Sequence, residues 1–402
     1  MAYLRNSAVN RLSINYGFYA LAANGAWVFV TVFLLKAGVP LPAVFGALAL
    51  IVLGRFVIRP LVVILAPRYG LKPLLAFGTL FSGVQYLLIA GVHDVGPMLL
   101  VFCATAAIGE AFYWTSYHAY FAKTGDAEHR GHQISAREAF ASGSAIAGPL
   151  LGGWALTHFG PQFSFGVAAA VHVLAALPLI GMPAVTVERE VPGAFRAARF
   201  GVLLFAADGW IAVGYYFVWQ IALFVSLGES YSAYGGVLAS AAVVGAIGGL
   251  LLGRHIDGGH GGNAVWITFS AVAVVILFRA LATHNASLAV VANALGALAS
   301  CLYIPTLMTA VYNQAKASPC ALRFHAAAEG GWDIGCASGC LVAAVMTGFG
   351  APLSSAILLS FPGVALSFAL LRRHYAGPVL PFVVGAAQGT AQANRAVVAD
   401  EG

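Results

Sequence analysis

The chain has 402 residues and a formal net charge of +6; 60% of its residues are hydrophobic, only 8% are charged, and the mean hydropathy is +0.87. No water-soluble domain of this size hides so much apolar surface, which excludes a soluble enzyme or binding module. The basic surplus does not make it a nucleic-acid binder, because the Lys and Arg residues are dispersed between apolar stretches and form no patch.

About twenty helical residues cross a hydrocarbon core of about 30 Å. Twelve apolar stretches of that size follow one another: 12–33, 43–65, 74–92, 98–121, 140–157, 163–184, 201–225, 234–252, 264–281, 288–311, 326–346 and 353–371. Each is expected to be helical, because lipid offers no partner for an unpaired backbone group. The first has no small-residue cleavage site and is too long for a signal peptide, so it reads as a true span. An even count puts both termini on one side. Arg5, Arg11, Arg59, Arg68, Lys72, Lys123, Arg130, Arg137, Arg189, Arg196, Arg199, Arg254, Lys316, Arg323, Arg372 and Arg373 fall in alternate segments, and only Lys36 and Arg279 fall in the opposite ones. Both ends are therefore expected in the cytoplasm, with the chain in the plasma (cell inner) membrane.

In chain order, the first span offers Asn24 and Trp27, and the second carries Arg55 near its middle. Arg59, one turn further in beside Pro60, is expected to snorkel to the cytoplasmic interface. The fourth span holds Glu110 at the same depth as Arg55, so the two can pair. Tyr113, Trp114, Tyr117 and His118 follow Glu110 at helical spacing on one broad face. Tyr69 suits an interfacial belt, whereas Trp114 lies too deep for one. The fifth span has Ser144, Gly148 and Gly152 on one stripe, with Pro149 beside them. The seventh supplies Asp208, Tyr215, Tyr216, Trp219 and Gln220, and the eighth a stripe of Gly245, Gly249 and Gly253, followed by Asp257. The tenth carries Asn293, Tyr303 and Thr306, and the eleventh Gly331, Gly335 and Gly339. Glu138, Glu329 and Asp333 are placed near the inner ends of the fifth and eleventh spans. Spans three, six, nine and twelve have no charge in mid-helix, Arg279 lying close to an outer end.

A charged loop, 185–199, divides the spans six and six. The halves echo each other: Ala136-Arg137-Glu138 opens the fifth span and Ala327-Ala328-Glu329 the eleventh, with Ser144 matched by Gly335 and Gly148 by Gly339. Spans of equal orientation imply a parallel duplication about an axis normal to the membrane. Small residues four apart let helices approach closely, and the three stripes are expected at a seam where two rigid bundles rock.

Gly148-Pro149-Leu150-Leu151-Gly152-Gly153 resembles the fifth-helix motif of drug–proton antiporters of the major facilitator superfamily. Arg68-Tyr69-Gly70-Leu71-Lys72 resembles that superfamily's loop between helices two and three, although its usual acid falls at Pro67 and its leading glycine at Val63. The copy after the eighth span keeps Gly253-Arg254-His255-Ile256-Asp257 and loses the basic end. The resemblance covers nearly the whole chain. It implies an all-α membrane protein of 12 transmembrane helices in two six-helix pseudo-symmetric bundles: 1–184, a linker 185–199, 200–373, and a disordered cytoplasmic tail 374–402. It also implies that helices one, four, seven and ten line a central cavity, while three, six, nine and twelve face lipid.

The expected function is secondary active transport of a small organic solute by alternating access, coupled to protons, with a lean to efflux by antiport. Charged groups at membrane depth cost at least about 2.5–3.5 kcal/mol each and so need partners or a purpose. Glu110 and Asp208 are the expected proton carriers. Asn24, Arg55, Glu110, Tyr113, Trp114, Tyr117, Tyr215, Trp219, Gln220 and Tyr303 are the expected substrate contacts. Gly148, Pro149, Gly152, Gly245, Gly249, Gly253, Asp257, Gly331, Gly335 and Gly339 are the expected gating and interface positions. An importer of organic anions through Arg55 is the alternative, and a channel or lipid-handling protein a further one. No metallopeptidase, nucleophile-elbow or phosphate-loop pattern is present, so an enzyme is not expected. Cys336 and Cys340 share a helical face, but no His or acid completes a ligand set. The expected partners are the solute, protons and lipid, around a monomer, with no cofactor and no metal.

Overall fold

The structure, a computed structural model, describes residues 6–124, 130–189, 191–256 and 261–376, with the side chains of 130–139, 252–256, 261–263 and 376 outside that description. Asp257 and residues 377–402 of the expected tail therefore lie outside the described residues. Among those described, twelve long helices succeed one another: α1 (Ser7–Lys36), α2 (Leu41–Tyr69), α3 (Leu71–Ile89), α4 (Pro97–Thr124), α5 (Arg130–His158), α6 (Gly160–Gly181), α7 (Arg199–Ser226), α8 (Tyr231–Ile256), α9 (Gly261–Ala282), α10 (Ala286–Ala317), α11 (Ala321–Gly348) and α12 (Leu353–Tyr375). Ten are long and apolar enough to cross a membrane by length and composition; α5 and α11 are equally long but carry more polar and small residues.

Short connections hold these helices antiparallel. Gly38 and Gly70 turn the chain at φ +95° and +81°, a backbone region that only glycine enters without strain. The first helix of each half is interrupted past its midpoint. A 3-10 turn, Trp27–Phe29, interrupts α1, and a π-helical turn, Val213–Val218, interrupts α7.

Within the first six helices, α3 packs on α4 and α6, α2 on α4, and α1 on α5 and α6. Within the last six, α7 packs on α11 and α12, α9 on α10 and α12, and α8 on α10. The two sets meet mainly along α2 with α11 and α5 with α8. The segment between them is tied to both: Leu71 N donates to Val185 O at 2.8 Å and the Tyr120 hydroxyl to Pro183 O at 2.6 Å. From the other set, Arg323 Nη2 donates to Arg189 O at 2.6 Å.

The glycine stripes do not lie where expected. Gly148 and Gly152 press on Asn24 and Gly25 of α1, Gly245 and Gly249 face Ala297 and Cys301 of α10, and Gly331, Gly335 and Gly339 press on α7. The glycines of all three ladders whose surroundings are described thus pack inside their own half, Gly253 lying outside that description, because a stripe of small residues serves whichever helix lies against it. Across the halves, the close contact is Gly153 against Gly235, with the Pro149 carbonyl alongside.

Two further expectations change. Arg59 does not snorkel; it is 2% exposed and turned toward α11. Helix α11 begins at Ala321, five residues before the apolar stretch, which moves Asp333 from the inner end to about mid-helix. Arg279, near the end of α9, is buried against α7.

Candidate functional site

Arginines four apart on α2 and acids four apart on α11 project from facing helices, and they interlock. Arg55 Nη1 donates to Glu110 Oε2 of α4 at 2.8 Å, and its Nη2 lies 3.0 Å from Asp333 Oδ1. One turn further along α2, Arg59 Nη2 donates to Asp333 Oδ2 at 2.6 Å, while its Nη1 reaches Glu329 Oε2 and, at 2.9 Å, Thr115 Oγ1. His118 Nε2 of α4 stands 3.6 Å from Glu329 Oε1, and its ring stacks 5.5 Å from that of His325. Two guanidiniums therefore face three carboxylates, leaving one negative charge that a proton on His118 or on a carboxylate would cancel. Asp333 is fully buried, whereas the Arg55 and Glu110 side chains keep about a tenth of their surface open.

A second carboxylate site lies beside the first. Asp208 of α7 is half-buried. It accepts from the Tyr303 hydroxyl of α10 at 2.5 Å through Oδ1, and from Trp332 Nε1 of α11 at 3.0 Å through Oδ2. The face of the same Trp332 carries the Arg55 guanidinium at 5.3 Å from the ring centroid. Trp332 thus stands between the two sites, its edge toward Asp208 and its face toward Arg55.

The family model described as Major Facilitator Superfamily matches residues 12–318. The chain belongs to the major facilitator superfamily. It is an integral membrane protein and a secondary transporter acting on a small-molecule substrate, not an enzyme. Two solved structures share the fold at a TM-score of 0.64 and 14% identity. One is an auto-inhibited peptide transporter of the POT family, with 92% of this chain and 96% of that one covered. The other is the transporter FucP in the outward conformation, with 91% and 98% covered. No curated protein sequence matches the chain.

In this major facilitator fold, the geometry brings together Arg55, Glu110, Asp208 and Tyr303 from the sequence reading. Trp114 is half-buried beside them, stacked on His118 at 5.6 Å, and Gln220 is half-buried on α7. Several expected substrate contacts point elsewhere. Tyr113 is buried, stacks on Tyr19 at 3.7 Å and donates to Asn15 Oδ1; Tyr117 is buried against Tyr16. A face of a helix this broad splits between the charged site and the core of its own half, and both tyrosines fall on the core side. Asn24 donates to Ala20 O of its own helix and abuts Gly148. Tyr215 donates to Gly296 O at 2.9 Å and Trp219 to Asn293 Oδ1 at 3.1 Å, both buried within the last six helices around Arg279.

The sequence reading missed Arg59, Glu329, Asp333 and Trp332 as members of the site. The signal was present: Arg55 and Arg59 repeat at the helical spacing of Glu329 and Asp333.

Proposed function

We propose that this major facilitator protein exchanges a small organic solute for protons by alternating access, with the solute moving outward. The observation that carries this reading is the buried set of two guanidiniums and three carboxylates that bridges α2, α4 and α11 with one charge unbalanced. A proton that joins or leaves such a set changes which cross-seam pairs hold, and so couples protonation to the contact between halves. The moving units are residues 1–184 and 200–373, joined by 185–199, with both termini and the tail from 374 cytoplasmic. The protein works as a monomer in the cell inner membrane, and Glu110 and Asp208 carry the exchangeable protons. Efflux is favoured by the Gly148–Gly153 motif. Uptake of an anion through Arg55 is disfavoured, since both Nη atoms of Arg55 already face carboxylates.

The reading is tested in proteoliposomes loaded with a pH-reporting dye and challenged with a panel of small organic solutes. A transported solute should drive proton movement in the opposite sense and show saturable counterflow. Glu110→Gln should retain counterflow and lose accumulation driven by a proton gradient. Unchanged driven accumulation in both Glu110→Gln and Asp208→Asn would overturn proton coupling, and linear flux would overturn the carrier.

A further inference from the structure

We infer that Asp208, framed by Tyr303 and Trp332, is the recognition point for a monovalent organic cation: a protonated amine on an apolar body. The inference rests on the carrier reading above and names the charge of its solute.

The frame around Asp208 contains donors only on the carboxylate's two oxygens. Tyr303 donates to Oδ1 and Trp332 Nε1 to Oδ2. An indole N–H can only donate, so Oδ2 is held as an acceptor, while the Tyr303 hydroxyl serves Oδ1 whether the carboxyl is ionised or protonated. This frame neutralises none of the charge. Among the described residues, no Lys, Arg or His forms an ion pair with Asp208. A lone carboxylate at membrane depth needs a counter-charge. The cation across the Trp332 ring cannot serve, because Arg55 is held by Glu110 and Asp333. The counter-charge is therefore left for a ligand to bring.

The surroundings select its sign and its body. The neighbouring network holds three carboxylates against two guanidiniums, so an incoming anion meets surplus negative charge and an incoming cation does not. Tyr303 and Trp332, the two aromatic side chains that hold Asp208, offer apolar surface beside it for the body of the cation. A protonated amine and a proton both discharge Asp208 and exclude each other there, which is the elementary condition for exchange.

The test uses the purified full chain and three probes that share a phenyl ring: phenethylammonium, 3-phenylpropionate and 2-phenylethanol. Thermal stabilisation and tryptophan fluorescence should respond saturably to the ammonium alone. Asp208→Asn, which keeps the shape and removes the charge, should weaken that response at least about tenfold. Equal stabilisation by the acid or the alcohol, or an unchanged response in Asp208→Asn, overturns the inference. Should that variant fail to fold, the charge series on the unmodified chain decides alone. The two readings fail separately. Ammonium binding lost in Asp208→Asn together with linear vesicle flux keeps this site and overturns the carrier. Gradient-driven accumulation without charge preference among the probes keeps the carrier and overturns this site.

Discussion

Arg59 and Asp333 stand 2.6 Å apart across the seam between the two halves, although 274 positions separate them in the chain. Neither touches bulk solvent: Arg59 is 2% exposed and Asp333 fully buried. A pair so placed is poor evidence of net stabilisation, because desolvating both ions offsets most of their attraction. What it does supply is a strong penalty for losing one partner. Together with Arg55 it fixes the register of α2 on α11, since a shift by one turn would leave an ion unmatched at each end.

Removal of one partner is accordingly expected to hurt more than removal of both. Arg59→Ala leaves Glu329 and Asp333 short of their guanidinium and should destabilise the protein by about 3–5 kcal/mol. The double variant Arg59→Met with Asp333→Leu should recover much of that loss in thermal unfolding, while transport stays lost. If the single and double variants unfold alike, the pair is not coupled.

The three glycine ladders make a second, sharply positional expectation. A Cβ at Gly335 would run into the Ala206 carbonyl of α7, whereas one at Gly46 or Gly166 meets nothing within 4 Å. Gly335→Ala should therefore destabilise by about 1–3 kcal/mol through overpacking. Gly46→Ala or Gly166→Ala should be neutral or gain up to about 1 kcal/mol by removing backbone freedom in a helix. Differential scanning of the three variants in one detergent reads the contrast directly.

Much of the fold was legible because continuous apolar runs of about twenty residues can satisfy their backbone in a bilayer only as helices, so hydropathy alone marks the spans. Helix ends were not legible where the first turns are polar, and α11 shows the consequence: its start at Ala321 moved Asp333 inward to the site. The pairing of Arg55 with Glu110 could be read from equal depth on helices two and four. The Arg59–Asp333 pair required knowing that α2 faces α11, which no local pattern states. The direction of the glycine stripes was hidden for the same reason. Spacing tells that a close neighbour exists, and only packing tells which.

Arg279 carries a third prediction. Its Nη1 donates at 2.5 Å to Tyr215 O, inside the π-helical turn of α7, and its guanidinium lies 4.2 and 4.9 Å from the ring centroids of Tyr215 and Trp219. A π turn offsets the regular ladder, and here the guanidinium takes up the Tyr215 carbonyl. Arg279→Ala should remove that bond and both ring contacts and destabilise by about 2–4 kcal/mol. Arg279→Lys keeps the charge but not the planar group that lies against both rings, so it should recover only a minor part. Full rescue by lysine would show that charge alone is needed there.

A second contact between the halves gives the last expectation. Lys36 Nζ donates to Glu229 O at 2.9 Å and lies over the Tyr231 ring, the Thr157 and Ser232 hydroxyls stand 2.8 Å apart, and the Tyr234 hydroxyl reaches Val28 O. All of these tie α1 and α5 to α8 and the turn before it. Gly153 and Gly235 make the approach possible, since a Cβ on either would stand 3.4 Å from the other's Cα and closer still to a carbonyl. If this contact is a closure that opens during transport, Gly235→Leu should wedge it apart without touching the charged network. The measurement is the rate at which Ser232→Cys reacts with a membrane-impermeant maleimide, with and without Gly235→Leu. Ser232 is exposed at the edge of this contact, its hydroxyl on Thr157 and the Gly153 carbonyl, so the rate should rise from the single variant to the double one, in which leucine draws both neighbours away. A folded double variant that reacts no faster would mean that α5 and α8 form a fixed joint there, and that movement between the halves takes place along α2 and α11 instead.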